Sequence, residues 1–337
     1  MNKVSCTLLC ASLAAISPAV GADGEQLFAD LDRCELTSGA TIEQCRVGYR
    51  TFGERDADDS NVVLFLTWFT GTTEALATGR YIGPEYLVDS DRYFVVAVDA
   101  LSNGVSSSPS NSRLQAGVDF PAISIADMVD SQHRLLTREL GISRVHAVIG
   151  ISMGGMQAFE WLVRYPDFMD KAISISGTPV QTAYDLLLWE TELETIEALG
   201  ETEAAYRIIA GLLGLVLRPP EYVVSRTSPA DYPDYIARSV EAVKAHSLLD
   251  YVPALKAMMG LDIGRSAGGT LEDAAALVRA ETLIVVSPTD HVVNPEPSRD
   301  FAELTGGRLL ELDGACGHLA HICERRRLIR AVRRFLD

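Results

Sequence analysis

The stretch Val145-His146-Ala147-Val148-Ile149-Gly150-Ile151-Ser152-Met153-Gly154-Gly155 reads as a short buried strand, a serine with a glycine two places away on either side, and the first turn of a helix. A G-x-S-x-G pattern alone is a weak signal, but set between a β-branched run and the helical pattern of 153–165 it reads as a nucleophile elbow. The strand-to-helix turn is so sharp that its flanking positions must be glycine. It lifts the serine oxygen above the sheet and aims the helix N-terminus at it.

On both sides of the elbow, short β-branched runs alternate with helical patterns. Strands are expected at 61–68, 93–99, 145–149, 171–176, 282–287 and 308–313, and helices at 125–140, 153–165 and 319–336. This is the α/β class, with a mostly parallel central sheet and flanking helices. Between Pro179 and about Thr270 the strand signal gives way to runs such as YDLLLWETELETIEAL and AAYRIIAGLLGLVL, which read as a helical lid. The expected organisation is a core of 23–178 and 271–337 interrupted by a lid of 179–270.

A serine hydroxyl becomes a useful nucleophile only when a histidine takes its proton and a carboxylate orients that histidine. After a nucleophile elbow the partners follow in the order acid, then histidine. Asp290 lies just past the strand TLIVVSP and His318 just past RLLELDG, each where a parallel sheet places its active site. His133, His146, His246, His291 and His321 read as packing or surface residues. Asp313 is too near His318 in sequence to reach the far side of its ring, and Glu296 lies well past its strand. Acyl transfer also needs two backbone N–H donors for the oxyanion, expected from Met153 and from Phe69 in the loop Trp68-Phe69-Thr70-Gly71.

Composition excludes more than it names. The 337 residues are 47% apolar and 22% charged, the proportions of an ordinary globular protein, and the net charge of −17 disfavours nucleic acid and anionic lipid as partners. Lys3, the apolar run of 4–20, the absence of an acid before Asp23 and the small residues Val20-Gly21-Ala22 read as a signal peptide over 1–22, hence a periplasmic or secreted protein. No later stretch is long and apolar enough for a membrane span.

Cleavage would remove Cys6 and Cys10 and leave Cys34, Cys45, Cys316 and Cys323, an even number that suggests two disulfides. Four cysteines permit three connectivities. Cys34 and Cys45 flank ELTSGATIEQ, whose Gly39-Ala40 would be a hairpin tip with the two cysteines opposite each other, which leaves Cys316–Cys323. A zinc site of these last two with His318 and His321 is disfavoured, because four ligands from one eight-residue segment rarely wrap a tetrahedron.

GISMGGMQAFEW followed by RYPD, the segment DSDRYFVV, and DFPAISIADMV ahead of QHRLLTREL together resemble the homoserine O-acetyltransferase family of α/β-hydrolases, from about Tyr49 to the C-terminus. The resemblance implies the α/β-hydrolase fold, acyl transfer from acetyl-CoA to the homoserine hydroxyl through a triad falling on Ser152, Asp290 and His318, and a homodimer formed through the lid. It also implies a lid arginine for the homoserine carboxylate, for which Arg207 is the candidate. The chain departs from the family where an aspartate that holds the homoserine amine usually follows the histidine: here His318 is followed by Leu319. LSNGVSSSPSNS replaces the family's glycine-rich stretch, and the lid is shorter.

Trp68, Arg207 and Leu319 are therefore the candidate substrate-binding residues. The favoured expectation is a secreted serine hydrolase that cleaves a small carboxylic ester, with no metal and no cofactor. The alternative is an O-acyltransferase of the homoserine O-acetyltransferase type. A non-catalytic binding module on this scaffold is opposed by the presence of all three triad residues.

Overall fold

Five-residue runs with every side chain buried, VVLFL and FVVAV, can be satisfied only in the middle of a sheet covered on both faces. A computed structural model describes residues 24–337, and the expected signal peptide lies outside the described residues. Ten strands are described: β1 (Leu27–Asp30), β2 (Arg33–Glu35), β3 (Thr41–Glu43), β4 (Arg46–Phe52), β5 (Val62–Leu66), β6 (Phe94–Val98), β7 (Val145–Ile151), β8 (Met169–Ile175), β9 (Glu281–Val286) and β10 (Arg308–Glu311). Eight form one sheet in the order β1-β4-β6-β5-β7-β8-β9-β10. β5 to β10 run parallel, β4 runs antiparallel to β6, and β1 pairs antiparallel with β4 at that side of the sheet. The order reverses beside β5, because the chain steps to β6 on one side and then to β7 on the other, and such a reversal opens a crevice at the carboxyl ends of the strands.

All six expected strands are present. β1 and β4 were not expected, because RVGYRTF carries two arginines and a glycine and lacks a clean apolar run. Its register is held partly from outside: the Ser106 hydroxyl accepts from the Gly48 amide at 2.9 Å, and a Cβ on Gly48 would lie 2.8 Å from Val105. The serine-rich segment 101–112 thus packs over β4, and at its far end the Ser110 amide and hydroxyl donate to Asp250 at 2.8 and 2.5 Å.

The helix expected over 125–140 is α-helical only for Ile125–Arg134, which Ser124 and Asp127 cap reciprocally, and it ends in a π-turn over Leu135–Glu139. Between β8 and β9 the chain is helical throughout, from Ala183–Leu199 to Leu271–Leu277, with Thr182, Thr202 and Thr270 accepting from backbone amides at three of the helix starts.

Both expected disulfides are present, with Cα–Cα distances of 5.6 Å for Cys34–Cys45 and 6.5 Å for Cys316–Cys323. The first needs one correction. Cys34 faces Ile42 in the β2–β3 register, and Cys45 lies beyond β3 after Gln44 at φ +53°, so the bridge closes the base of the hairpin rather than a cross-strand pair. The second occupies both sulfurs that a zinc site would need. Thiol titration of chain lacking 1–22 should find no free thiol before reduction and four after it. Reduction of Cys34–Cys45 should lower stability by about 2–4 kcal/mol in urea unfolding.

Candidate active site

Ser152 sits at φ +55° and ψ −119°, a backbone conformation that L-residues avoid, at the junction of β7 and the helix Met153–Arg164. The strain is enforced by contact. A Cβ on Gly150 would lie 2.0 Å from the Gly154 carbonyl oxygen, and one on Gly154 would lie 2.3 Å from that of Leu66, so both positions exclude any side chain. The Ser152 amide is tied across the sheet to the Ile175 carbonyl at 2.8 Å.

His318 is delivered by the loop after β10, in a one-turn 3₁₀ segment that begins at Gly317, φ +59°. The Cys316–Cys323 bridge brackets this segment. His318 Nε2 lies 2.9 Å from Ser152 Oγ and Nδ1 lies 2.7 Å from Asp290 Oδ2. The other oxygen of Asp290 accepts from the Val292 and Val293 amides at 2.9 and 3.0 Å, so this buried carboxylate is fully used. Its loop is tied to the first helix after β8 by Asp185, which caps that helix and accepts from the Asn294 amide at 2.8 Å. The three residues singled out from sequence are thus brought together at the carboxyl ends of β7, β9 and β10.

The Met153 amide begins its helix and is left over from the helical ladder. The Phe69 amide has no acceptor among the described residues. Phe69 lies in a turn closed by the Gly71 amide on the Trp68 carbonyl at 2.8 Å, with Thr70 forced to φ +60°. A Cβ on Gly71 would strike the Trp68 indole at 2.7 Å. The turn is anchored by buried Asp99 at the end of β6, which accepts from the Thr73 amide and hydroxyl at 2.8 and 2.9 Å, and by Asn103, which donates to the Gly71 carbonyl at 2.9 Å.

Ser152 and His318 open into a cavity of about 350 Å³ walled by Trp68, Phe69, Trp189, Leu213, Leu217, Val243, Met258, Val292, Val293 and Leu319 among others. Trp68 and Leu319 are part of this wall. Arg207 is not: it is exposed on the helix Glu203–Val216. His246 and His321, read from sequence as packing or surface residues, are in the wall. His321 is driven down to about 3 by burial and then by the neighbouring His318, so it is neutral, with Nδ1 3.2 Å from the His318 carbonyl oxygen. The remaining alternatives have local partners. His133 stacks on Tyr165 at 3.9 Å, His146 meets the Leu336 carbonyl at 2.8 Å, Asp313 accepts from Arg327, and Glu296 pairs with Arg299.

Sequence reasoning missed Glu192 and Tyr251, both in the cavity wall. The Tyr251 hydroxyl donates to Glu192 Oε2 at 2.7 Å, and the Tyr251 ring meets that of Phe69 edge-on at 4.4 Å. Glu192 Oε1 is buried with no hydrogen-bond partner among the described residues. A signal for Glu192 existed: it falls on the inward stripe Leu188, Trp189, Glu192, Ile196, the line of the helix that should be apolar.

With the geometry established, comparison with known proteins is decisive at the level of family. The alpha/beta hydrolase fold family matches residues 80–324. A probable esterase of Corynebacterium glutamicum is 32% identical over 324 residues, covering 86% of this chain and 88% of that protein. The chain belongs to the α/β-hydrolase family. A homoserine O-acetyltransferase of Clavibacter michiganensis subsp. michiganensis is 30% identical, over 93% of this chain and 92% of its own. The solved structure of an acetylester hydrolase from Corynebacterium glutamicum superimposes with a TM-score of 0.85 at 27% identity, over 93% of this chain and 95% of that one. The protein is therefore an enzyme of this family, whose relatives include both esterases and acyltransferases.

Burial pushes the Glu192 carboxyl up from 4.5 to about 7. A carboxyl whose pKa is raised on folding contributes stability that is fully present below its unfolded value and lost as pH rises to the folded value, here between 4.5 and about 7. Glu192→Gln should therefore flatten the pH dependence. Between pH 5 and pH 8, measured by urea unfolding, it should lose about 2 kcal/mol less stability than the wild type.

Proposed function

We propose that this α/β-hydrolase is a serine hydrolase of small carboxylic esters. The observation that carries the reading is the cavity wall. Among the described residues no Lys or Arg lines it, so no cation there would pair with the carboxylate of an amino-acid acceptor, and Leu319 beside His318 offers no charge to its amine. The likeness to a probable esterase over most of both chains supports the same reading.

In the proposed reaction Ser152 Oγ attacks the ester carbonyl carbon as its proton passes to His318 Nε2, while Asp290 holds the ring through Nδ1. The amides of Met153 and Phe69 would hold the oxyanion. Collapse breaks the C–O bond, and His318 returns the proton to the departing alcohol. Water then attacks the acyl-serine as His318 takes its proton, the bond from the acyl carbon to Oγ breaks, and His318 returns that proton to Oγ, so the carboxylic acid leaves with Ser152 and neutral His318 restored. Every proton and the nucleophile come from side chains or water, so the steps call for no metal or cofactor. The two disulfides support export to an oxidising compartment, in keeping with the signal peptide read over 1–22.

The second reading, transfer of the acyl group to a hydroxyl acceptor, is favoured by the likeness to a homoserine O-acetyltransferase. Chain lacking 1–22, given p-nitrophenyl acetate and homoserine, should release acetate and make no O-acetylhomoserine by mass spectrometry. Ser152→Ala should lower acetate release about 10⁴-fold or more with unchanged thermal unfolding. Dominant O-acetylhomoserine would establish the transferase instead, and unchanged turnover in Ser152→Ala would remove the serine mechanism. Leu319→Asp places a carboxylate beside His318, and it should raise partition to amino-alcohol acceptors relative to water, read as the product ratio.

A further inference from the structure

A cavity meant only for plain alkyl esters would be served by apolar walls, and most of this one is apolar: Trp68, Trp189, Leu213, Val243, Met258 and Val293. Into this wall the helix Ala183–Leu199 brings a carboxyl group. Glu192 is buried, spends one oxygen on the Tyr251 hydroxyl at 2.7 Å, and leaves Oε1 with neither solvent nor a hydrogen-bond partner. Buried polar groups are nearly always paired, and an orphaned one in a ligand-sized cavity is where a ligand atom is expected.

Among the described residues the wall holds no Lys or Arg to take that oxygen, and burial lowers the pKa of His246 and so disfavours its charged form. Terminal carboxyl rotation is soft, so either oxygen can turn to a ligand at small cost. Tyr251 also packs edge-on against Phe69 at 4.4 Å, which sets the Glu192–Tyr251 pair next to the loop that would hold the oxyanion.

We propose that Glu192 is a specificity-determining residue whose free oxygen hydrogen-bonds a hydroxyl carried on the alcohol or acyl arm of the substrate. The preferred substrates are then hydroxy esters, such as partially acylated diols and polyols, rather than simple alkyl esters. A hydroxyl fits better than an ammonium, because the apolar walls offer a buried ion pair little beyond Glu192 to offset its desolvation. This inference rests on the ester-hydrolase reading above.

The test compares kcat/KM for isosteric pairs on chain lacking 1–22: 2-hydroxyethyl with propyl acetate, 3-hydroxypropyl with butyl acetate, 4-hydroxybutyl with pentyl acetate, and methyl 6-hydroxyhexanoate with methyl heptanoate. At least one hydroxy ester should exceed its isostere by about tenfold or more in the wild type, and Glu192→Leu should abolish or reverse that ratio. Glu192→Met is a second apolar replacement should the leucine variant not fold, and the wild-type ratios decide even without either. Equal rates across every pair would overturn the proposal. So would a preference that survives loss of the carboxyl, or faster turnover of 3-(dimethylamino)propyl acetate than of every hydroxy ester. Wild-type turnover of p-nitrophenyl acetate separates the two readings: its absence removes the hydrolase itself, whereas its presence without a hydroxyl preference removes only the role of Glu192.

Discussion

Everything at this site depends on the close approach of two backbones. The end of β7 and the first turn of the following helix meet at Gly150 and Gly154, and the same turn rests on the Leu66 carbonyl at the end of β5. Only hydrogen at those positions lets the chain reverse that tightly, and the reversal holds Ser152 at φ +55° with its hydroxyl in the crevice at the switch of strand order. The sheet supplies the rigidity that a strained residue needs. β5, β6 and most of β7 are buried and paired on both sides, so the strain cannot relax locally.

The other parts of the site lie on loops and are restrained individually. The histidine comes from a loop, and a disulfide seven residues long closes that loop around it. The acid comes from another loop, tied by two amides to its own carboxylate and by Asp185 to the helices beyond β8. The turn at Phe69 hangs from Asp99 and Asn103. Each restraint is a short-range polar or covalent link at the end of a strand. The geometry of the site is therefore a property of the carboxyl ends of several strands rather than of any one segment.

The helices between β8 and β9 have a different part. They add no member to the serine, histidine and aspartate set, but they provide Trp189, Glu192, Leu213, Val243, Tyr251 and Met258 to the cavity. In the proposed reaction, chemistry and selectivity would thus be carried by separate stretches of chain. The serine-rich segment 101–112 links the two parts through Asp250.

Local patterns in the sequence were sufficient for the parallel sheet and the elbow, and they singled out Ser152, Asp290 and His318, which the structure brings within hydrogen-bond distance of one another. Runs of β-branched residues, obligatory glycines and residues just past strand ends are features of consecutive positions. β1 and β4 were not legible, because RVGYRTF lies between β1 and β6 and takes its pairing from these two separate segments rather than from its own residue pattern. The cavity wall was not legible for the same reason. Glu192 and Tyr251 come from separate helices, His246 comes from the bend that precedes the helix of Tyr251, and Arg207, one turn from buried Ala210, faces outward because of how its helix packs. Which side of a helix meets a ligand depends on packing between distant segments. Only the tertiary structure could decide that a carboxyl on an apolar stripe faces a substrate-sized cavity with one oxygen unclaimed.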